Sequence, residues 1–271
     1  MFKSIYRVVE HPDRQLGEAV LNWKGVLLML LVFFSEQFIP IFIQILLNIL
    51  NARFGTDYGL AELNLFTQLA TLSLMVLIFG RFFGVNLINF FREFKPVYVI
   101  APVACYIGAL AGQAVVMQLL TALTGSEGTS SNNEVVMQLL NKQPLGMFLM
   151  IVVLGPITEE SVFRAAIFRP LSAKKNVFLK ALGYLLSVFL FALMHVYQFA
   201  FFATDANGMM YLTFNAEEFL WILLYVPMAI GLAVCAHVCK NYWGSVLCHM
   251  LTNGVAASMM LLLMLMKDYL V

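Results

Sequence analysis

Three short stretches carry side chains able to do chemistry inside segments otherwise too apolar for them. In Glu159-Glu160-Ser161-Val162-Phe163-Arg164, two carboxylates and a guanidinium fall within six residues, directly after the apolar run that begins at Leu145. A charged side chain at the centre of a membrane helix costs on the order of 2.5–3.5 kcal/mol on insertion scales, so three together mark a functional site. Successive helical residues are rotated by about 100°, so Glu159 and Glu160 diverge, whereas Glu160 and Arg164 stand at i,i+4 with the acid N-terminal, the better order for an ion pair. This pairs Glu160 with Arg164 and leaves Glu159 as the carboxylate free to act as a general base on water. A buried ion triad with a purely structural role is the alternative. The second stretch is Phe191-Ala-Leu-Met-His195, a histidine inside an apolar helix. The third is His249-Met-Leu-Thr-Asn253, where a histidine and an asparagine share one helix face at i,i+4.

Hydrolysis within a membrane needs a water, a base and donors aimed at the developing oxyanion. The stretches supply each part. Glu159 is the candidate base, with His195 its partner in holding the water. His249 and Asn253 are candidate oxyanion donors, and Glu160 with Arg164 holds the helix in register. A zinc ion on Glu159, His195 and His249 is the competing arrangement, a His2Glu set with an open position. The sequence lacks the helical HExxH pattern, however, and Asn253 beside His249 is a hydrogen-bond donor and a poor zinc ligand. The expectation is therefore a glutamate-dependent reaction with no cofactor and no metal among the site residues.

The order EExxxR, FxxxH, HxxxN resembles that of the CAAX protease and bacteriocin-processing (CPBP, or Abi) intramembrane endopeptidases, related to the type II CAAX prenyl proteases. The resemblance covers about 145–255, the expected catalytic core of one integral-membrane domain, 1–271. It implies the same assignment of Glu159, Glu160, Arg164, His195, His249 and Asn253. It also implies a peptide or protein substrate presented at the membrane: prenylated C-termini in eukaryotic relatives, bacteriocin or pheromone precursors in bacterial ones. Short loops and the lack of appended domains fit a bacterial member. Two other functions stay open. One is a non-catalytic immunity or peptide-binding protein of the same family, which a degraded motif would mark. The other is an ion-coupled transporter, which would show inverted repeats and paired broken helices.

Composition sets the fold class on its own. With 62% hydrophobic and 11% charged residues, the chain reads as an all-α, polytopic transmembrane helical bundle. Its net charge of +1 has no basic excess for nucleic acid. The expected partners are a peptide and the lipid bilayer. Cys105, Cys235, Cys239 and Cys248 fall in or beside apolar spans and read as packing residues, since CxxxC lacks the spacing of structural zinc sites. Residues 1–24 are too polar for a signal peptide, so the first span is expected to remain in the mature protein.

Seven spans are expected, at about 26–50, 60–83, 97–123, 145–168, 181–203, 219–238 and 243–266, with a short interfacial helix on Val135, Val136, Leu139 and Leu140. In the first, Glu36, Pro40, Gln44 and Asn48 recur every fourth residue, predicting a kink and a polar stripe facing the bundle. The Asn207-Gly208 pair predicts a hairpin or lid. Tyr242 and Trp243 read as an interfacial aromatic pair and His237 as interfacial. Lysine and arginine counts alternate between connectors, which predicts a cytosolic N-terminus at the cell membrane. His249 lies much closer to the start of its span than His195 does, so the helices must be staggered for the two to meet.

Overall fold

The computed structural model describes residues 5–10, 16–125, 129–205 and 209–269. Lys3, Arg14 and the Asn207-Gly208 pair lie outside them. Among the described residues, seven helical segments are long and apolar enough to cross a membrane: Trp23–Phe54, Leu60–Arg92, Val97–Leu123, Pro144–Ser172, Val177–Phe201, Ala216–Cys239 and Tyr242–Met266. The protein is thus an all-α, multi-pass membrane protein.

The first segment is broken. Helix α1 (Trp23–Ser35) stops at a turn, and α2 (Ile39–Phe54) restarts with Pro40 in its first turn, where a missing N–H costs nothing. The break re-aims α2, which corrects the expected inward polar stripe. Glu36 turns inward and accepts a hydrogen bond from Gln68 Nε2 at 2.6 Å. Gln44 and Asn48 are exposed and bond each other at 2.9 Å.

Helix α3 (Leu60–Arg92) and α4 (Val97–Thr124) follow. Gly112 of α4 allows close helix contact, since a Cβ there would lie 2.8 Å from Pro227 Cβ. Helix α5 (Ser131–Lys142) is capped by Ser130, whose hydroxyl accepts from Asn133 N–H, and buries Leu139 and Leu140 against Ala61, Met147 and Ala257.

The fourth segment, which holds the acidic motif, is not a uniform helix. It runs as α6 (Pro144–Leu149), a π-helical stretch (Met150–Leu154), α7 (Gly155–Glu160), a second π-helical stretch (Ser161–Phe168) and α8 (Arg169–Ser172). Pro156 accounts for part of this. Gly155 N–H bonds Met150 O, and in that i→i+5 ladder the next donor should come from residue 156, where proline has none.

Helix α9 (Val177–Phe201) leads into the antiparallel pair β3 (Phe202–Thr204) and β4 (Met210–Leu212), the strands of the expected hairpin. Short α10 (Ala216–Leu220), α11 (Ile222–Cys239) and α12 (Tyr242–Tyr269) complete the bundle. The stagger demanded by the two histidines is real. At 1.5 Å per residue His195 lies about 27 Å into α9 and His249 about 10 Å into α12. The bundle accommodates this by sinking the α11–α12 turn into its interior. Lys240 takes the left-handed conformation with φ 49°, and buried Asn241 donates to Asn86 O at 2.8 Å. Tyr242 is buried and stacks on Phe82 with ring centroids 5.8 Å apart. Of the expected interfacial aromatic pair, Tyr242 is thus buried within the protein and Trp243 is half-buried.

Residues 1–24 hold an unforeseen element. Strands β1 (Tyr6–Val9) and β2 (Glu18–Leu21) form a hairpin. Its buried Glu18 receives Arg169 Nε at 2.6 Å and also Arg169 Nη2, while Nη1 reaches Ser172 Oγ. A two-pronged guanidinium–carboxylate pair out of water is destabilising to break on one side, by roughly 3–5 kcal/mol. Glu18→Gln is thus expected to lower the unfolding temperature in detergent strongly. An unchanged unfolding temperature would mean that the hairpin does not anchor the motif segment.

Candidate active site

Glu160 is fully buried and accepts from Arg164 Nη1 at 3.0 Å, the i,i+4 pair that the spacing predicts. The pair does more than hold one helix in register. Arg164 Nη2 donates to Ala229 O on α11 at 3.0 Å, and the guanidinium lies 4.5 Å from the centre of the Phe191 ring on α9. One side chain therefore ties three membrane segments together. Across α12, His249 Nδ1 lies 3.1 Å from the same Glu160 oxygen that Arg164 holds.

Glu159 diverges from Glu160 as the helical rotation requires. Its Oε2 lies 3.9 Å from His195 Nε2 and 3.9 Å from His249 Nε2. That oxygen is buried and has no hydrogen-bond partner among the described residues. Three groups from three spans thus converge on one small volume.

The outer nitrogens of the rings set their chemistry. His195 Nδ1 lies 2.8 Å from Phe191 O, and a carbonyl only accepts, so Nδ1 carries the proton. His249 Nδ1 faces a carboxylate paired with arginine, so it too is the donor. In their neutral forms both rings turn an Nε2 lone pair toward Glu159. Whatever lies between them must be a hydrogen-bond donor or a cation.

Asn253 is near but differently engaged. Its Nδ2 donates to Ile151 O at 2.9 Å, the carbonyl that Pro156 leaves without its i+5 donor. One amide proton thus repairs the backbone of the motif segment. Five of the six candidate residues are joined in one cluster, and Asn253, one turn beyond His249 on α12, is tied to the motif segment through Ile151.

Two aromatic side chains complete the cluster, and only Tyr225 has no mark in the sequence. Tyr225 stacks on His195, with ring centroids 4.5 Å apart and 27° between planes. Its hydroxyl joins Ser130 at 2.7 Å, Asn132 and Asn133 at the start of α5. Phe191 is the common floor, with ring centroids 4.7 Å from His195 and 5.6 Å from His249. Phe191 belongs to a motif and was open to discovery. Tyr225 is an ordinary aromatic in an apolar span, and its contacts cross between segments, so no local spacing marks it. His237 is exposed and stays away from the cluster, beside Tyr184 and Phe168. The four cysteines are free thiols.

Residues 141–255 match the family model described as Type II CAAX prenyl endopeptidase Rce1-like. This stretch holds all three motifs and every residue that converges on Glu159, and it is consistent with the CPBP family. No curated protein matches the chain, and no solved structure does. The match likens this segment, which is less than half of the chain, to type II CAAX prenyl endopeptidases.

Proposed function

We propose that this chain, Rce1-like over residues 141–255, is an endopeptidase in which Glu159 activates the attacking water. The observation that carries the reading is the convergence of His195 Nε2 and His249 Nε2 on Glu159 Oε2, each at 3.9 Å, from two other spans. A water between Glu159 and His195 gives one proton to the carboxylate, and its oxygen attacks the scissile carbonyl carbon. Doubly protonated His249 keeps Nδ1–H on Glu160 and offers Nε2–H to the oxyanion, and the second amide proton of Asn253 adds a donor. The C–N bond then breaks as Glu159 returns its proton to the leaving amine. Glu160, Arg164, Phe191 and Tyr225 fix where these groups stand.

The same donor set bears on metal. Two Nε2 lone pairs and a carboxylate are chemically suited to zinc, with Glu160 and the Phe191 carbonyl orienting the two rings from behind. Among the described residues, however, no group of three or more ligating side chains is arranged to hold an ion. The steps above use protein groups alone. The test is cleavage of a peptide library, prenylated and unmodified, by the purified protein in lipid, with and without chelator. Processing that survives chelation supports the glutamate-dependent reading. Stoichiometric zinc, with activity lost to chelator and restored by Zn²⁺, overturns it and makes both histidines ligands.

Orientation follows from the lysine and arginine alternation, with the N-terminus cytosolic and the 204–217 connector outside. A cysteine replacing Glu217 should react with an impermeant thiol reagent on intact cells, and one replacing Lys174 should not. The reverse pattern inverts the topology.

A further inference from the structure

Several hydroxyls in this bundle bond the backbone of their own helix. Ser161 donates to Ile157 O at 2.7 Å, Ser245 to Tyr242 O at 2.7 Å and Thr252 to Cys248 O at 3.0 Å. Three threonines do not. Thr67 and Thr71 on α3 and Thr158 on α7 are 6%, 0% and 1% exposed, and each hydroxyl lacks any partner among the described residues. Gln68, between the first two, donates its amide to Glu36, while its own carbonyl oxygen is buried and unpartnered. Helix α3 packs against α7, and Thr158 directly precedes Glu159.

Unpaired polar atoms are not tolerated at random at membrane depth, because lipid offers them no partner. Four of them on two contacting helices, bounded by two carboxylates, have the composition of a hydrated site, where each water needs two to four polar partners. We propose that Thr67, Gln68, Thr71 and Thr158, with Glu36 at the α1–α2 break, line a chain of ordered waters that resupplies the water consumed at Glu159. The broken first segment has a place in this account, since its turn is what brings Glu36 inward to Gln68. The proposal rests on the hydrolytic reading of Glu159, and its test has one arm that does not.

The independent arm is access. Thr71→Cys, in the Glu159→Gln background and in lipid, should be modified by a small charged methanethiosulfonate. Phe79→Cys, in the apolar core of the same helix, should resist. The second arm is turnover. Thr67→Val and Thr71→Val keep shape and remove the hydroxyl, and each should lower kcat about tenfold, as loss of one hydrogen bond to a reacting water would. Neither should raise the unfolding temperature. In a dry seam the same changes remove an unsatisfied group, so they would raise that temperature and leave kcat intact. An unmodified Thr71→Cys, or valine variants with full kcat, overturns the proposal. If no peptide is cleaved at all, the labelling result still decides whether the seam is wet.

Discussion

Glu159→Gln is expected to abolish peptide cleavage while the protein folds normally. The substitution keeps the size of the side chain and removes the base, and general-base catalysis contributes about 10²–10⁴-fold. Folding should persist because Glu159 is 19% exposed and bonds no other side chain closely, with both histidine nitrogens 3.9 Å away. The measurement is product formation from the best library peptide, with size-exclusion and circular-dichroism profiles matched to wild type. Retained cleavage would move the base elsewhere. A wild type that cleaves nothing, with Glu159→Gln equally able to protect cells in a bacteriocin challenge, would favour the non-catalytic immunity reading.

Arg164→Ala should have the largest effect on stability. It strands Glu160 at zero exposure and removes the link to Ala229 O and the contact with the Phe191 face. Leaving one partner of a buried pair uncompensated costs roughly 3–5 kcal/mol, enough to deplete folded protein. Lysine should not restore it, because both terminal nitrogens of the guanidinium are used in different directions and an ammonium cannot span them. The readout is folded yield and unfolding temperature in detergent, for Arg164→Ala and Arg164→Lys beside Glu159→Gln. A variant that folds like wild type and loses only activity would place Arg164 in substrate binding.

Much of the architecture was open to reading from residue order. Long apolar runs admit only helices in lipid, since every backbone group must be satisfied within its own segment. The seven spans could therefore be counted with boundaries off by a few residues at most ends. The Glu160–Arg164 pair could be read because it is local, four residues apart on one helix. Glu159 stood out because a charge is rare in such a run. The reach of the first segment was harder. Pro40 marked a disruption, but the chain turns at Glu36, before the proline, and only that turn sends Gln44 and Asn48 outward.

What the tertiary structure alone decided is depth, partnership and ring orientation. Periodicity places His195 and His249 on their faces but says nothing of how far α12 is sunk relative to α9. That depends on Asn241 and Tyr242 finding Asn86 and Phe82 across the bundle. The first π-helical stretch of the motif segment ends where Pro156 withholds a donor that Asn253 replaces from α12. The Arg169–Glu18 pair joins residues 151 apart in the chain. Each is a contact between segments distant in sequence, where one side chain completes the hydrogen bonding of another, and the periodicity of a single helix contains no record of its neighbour.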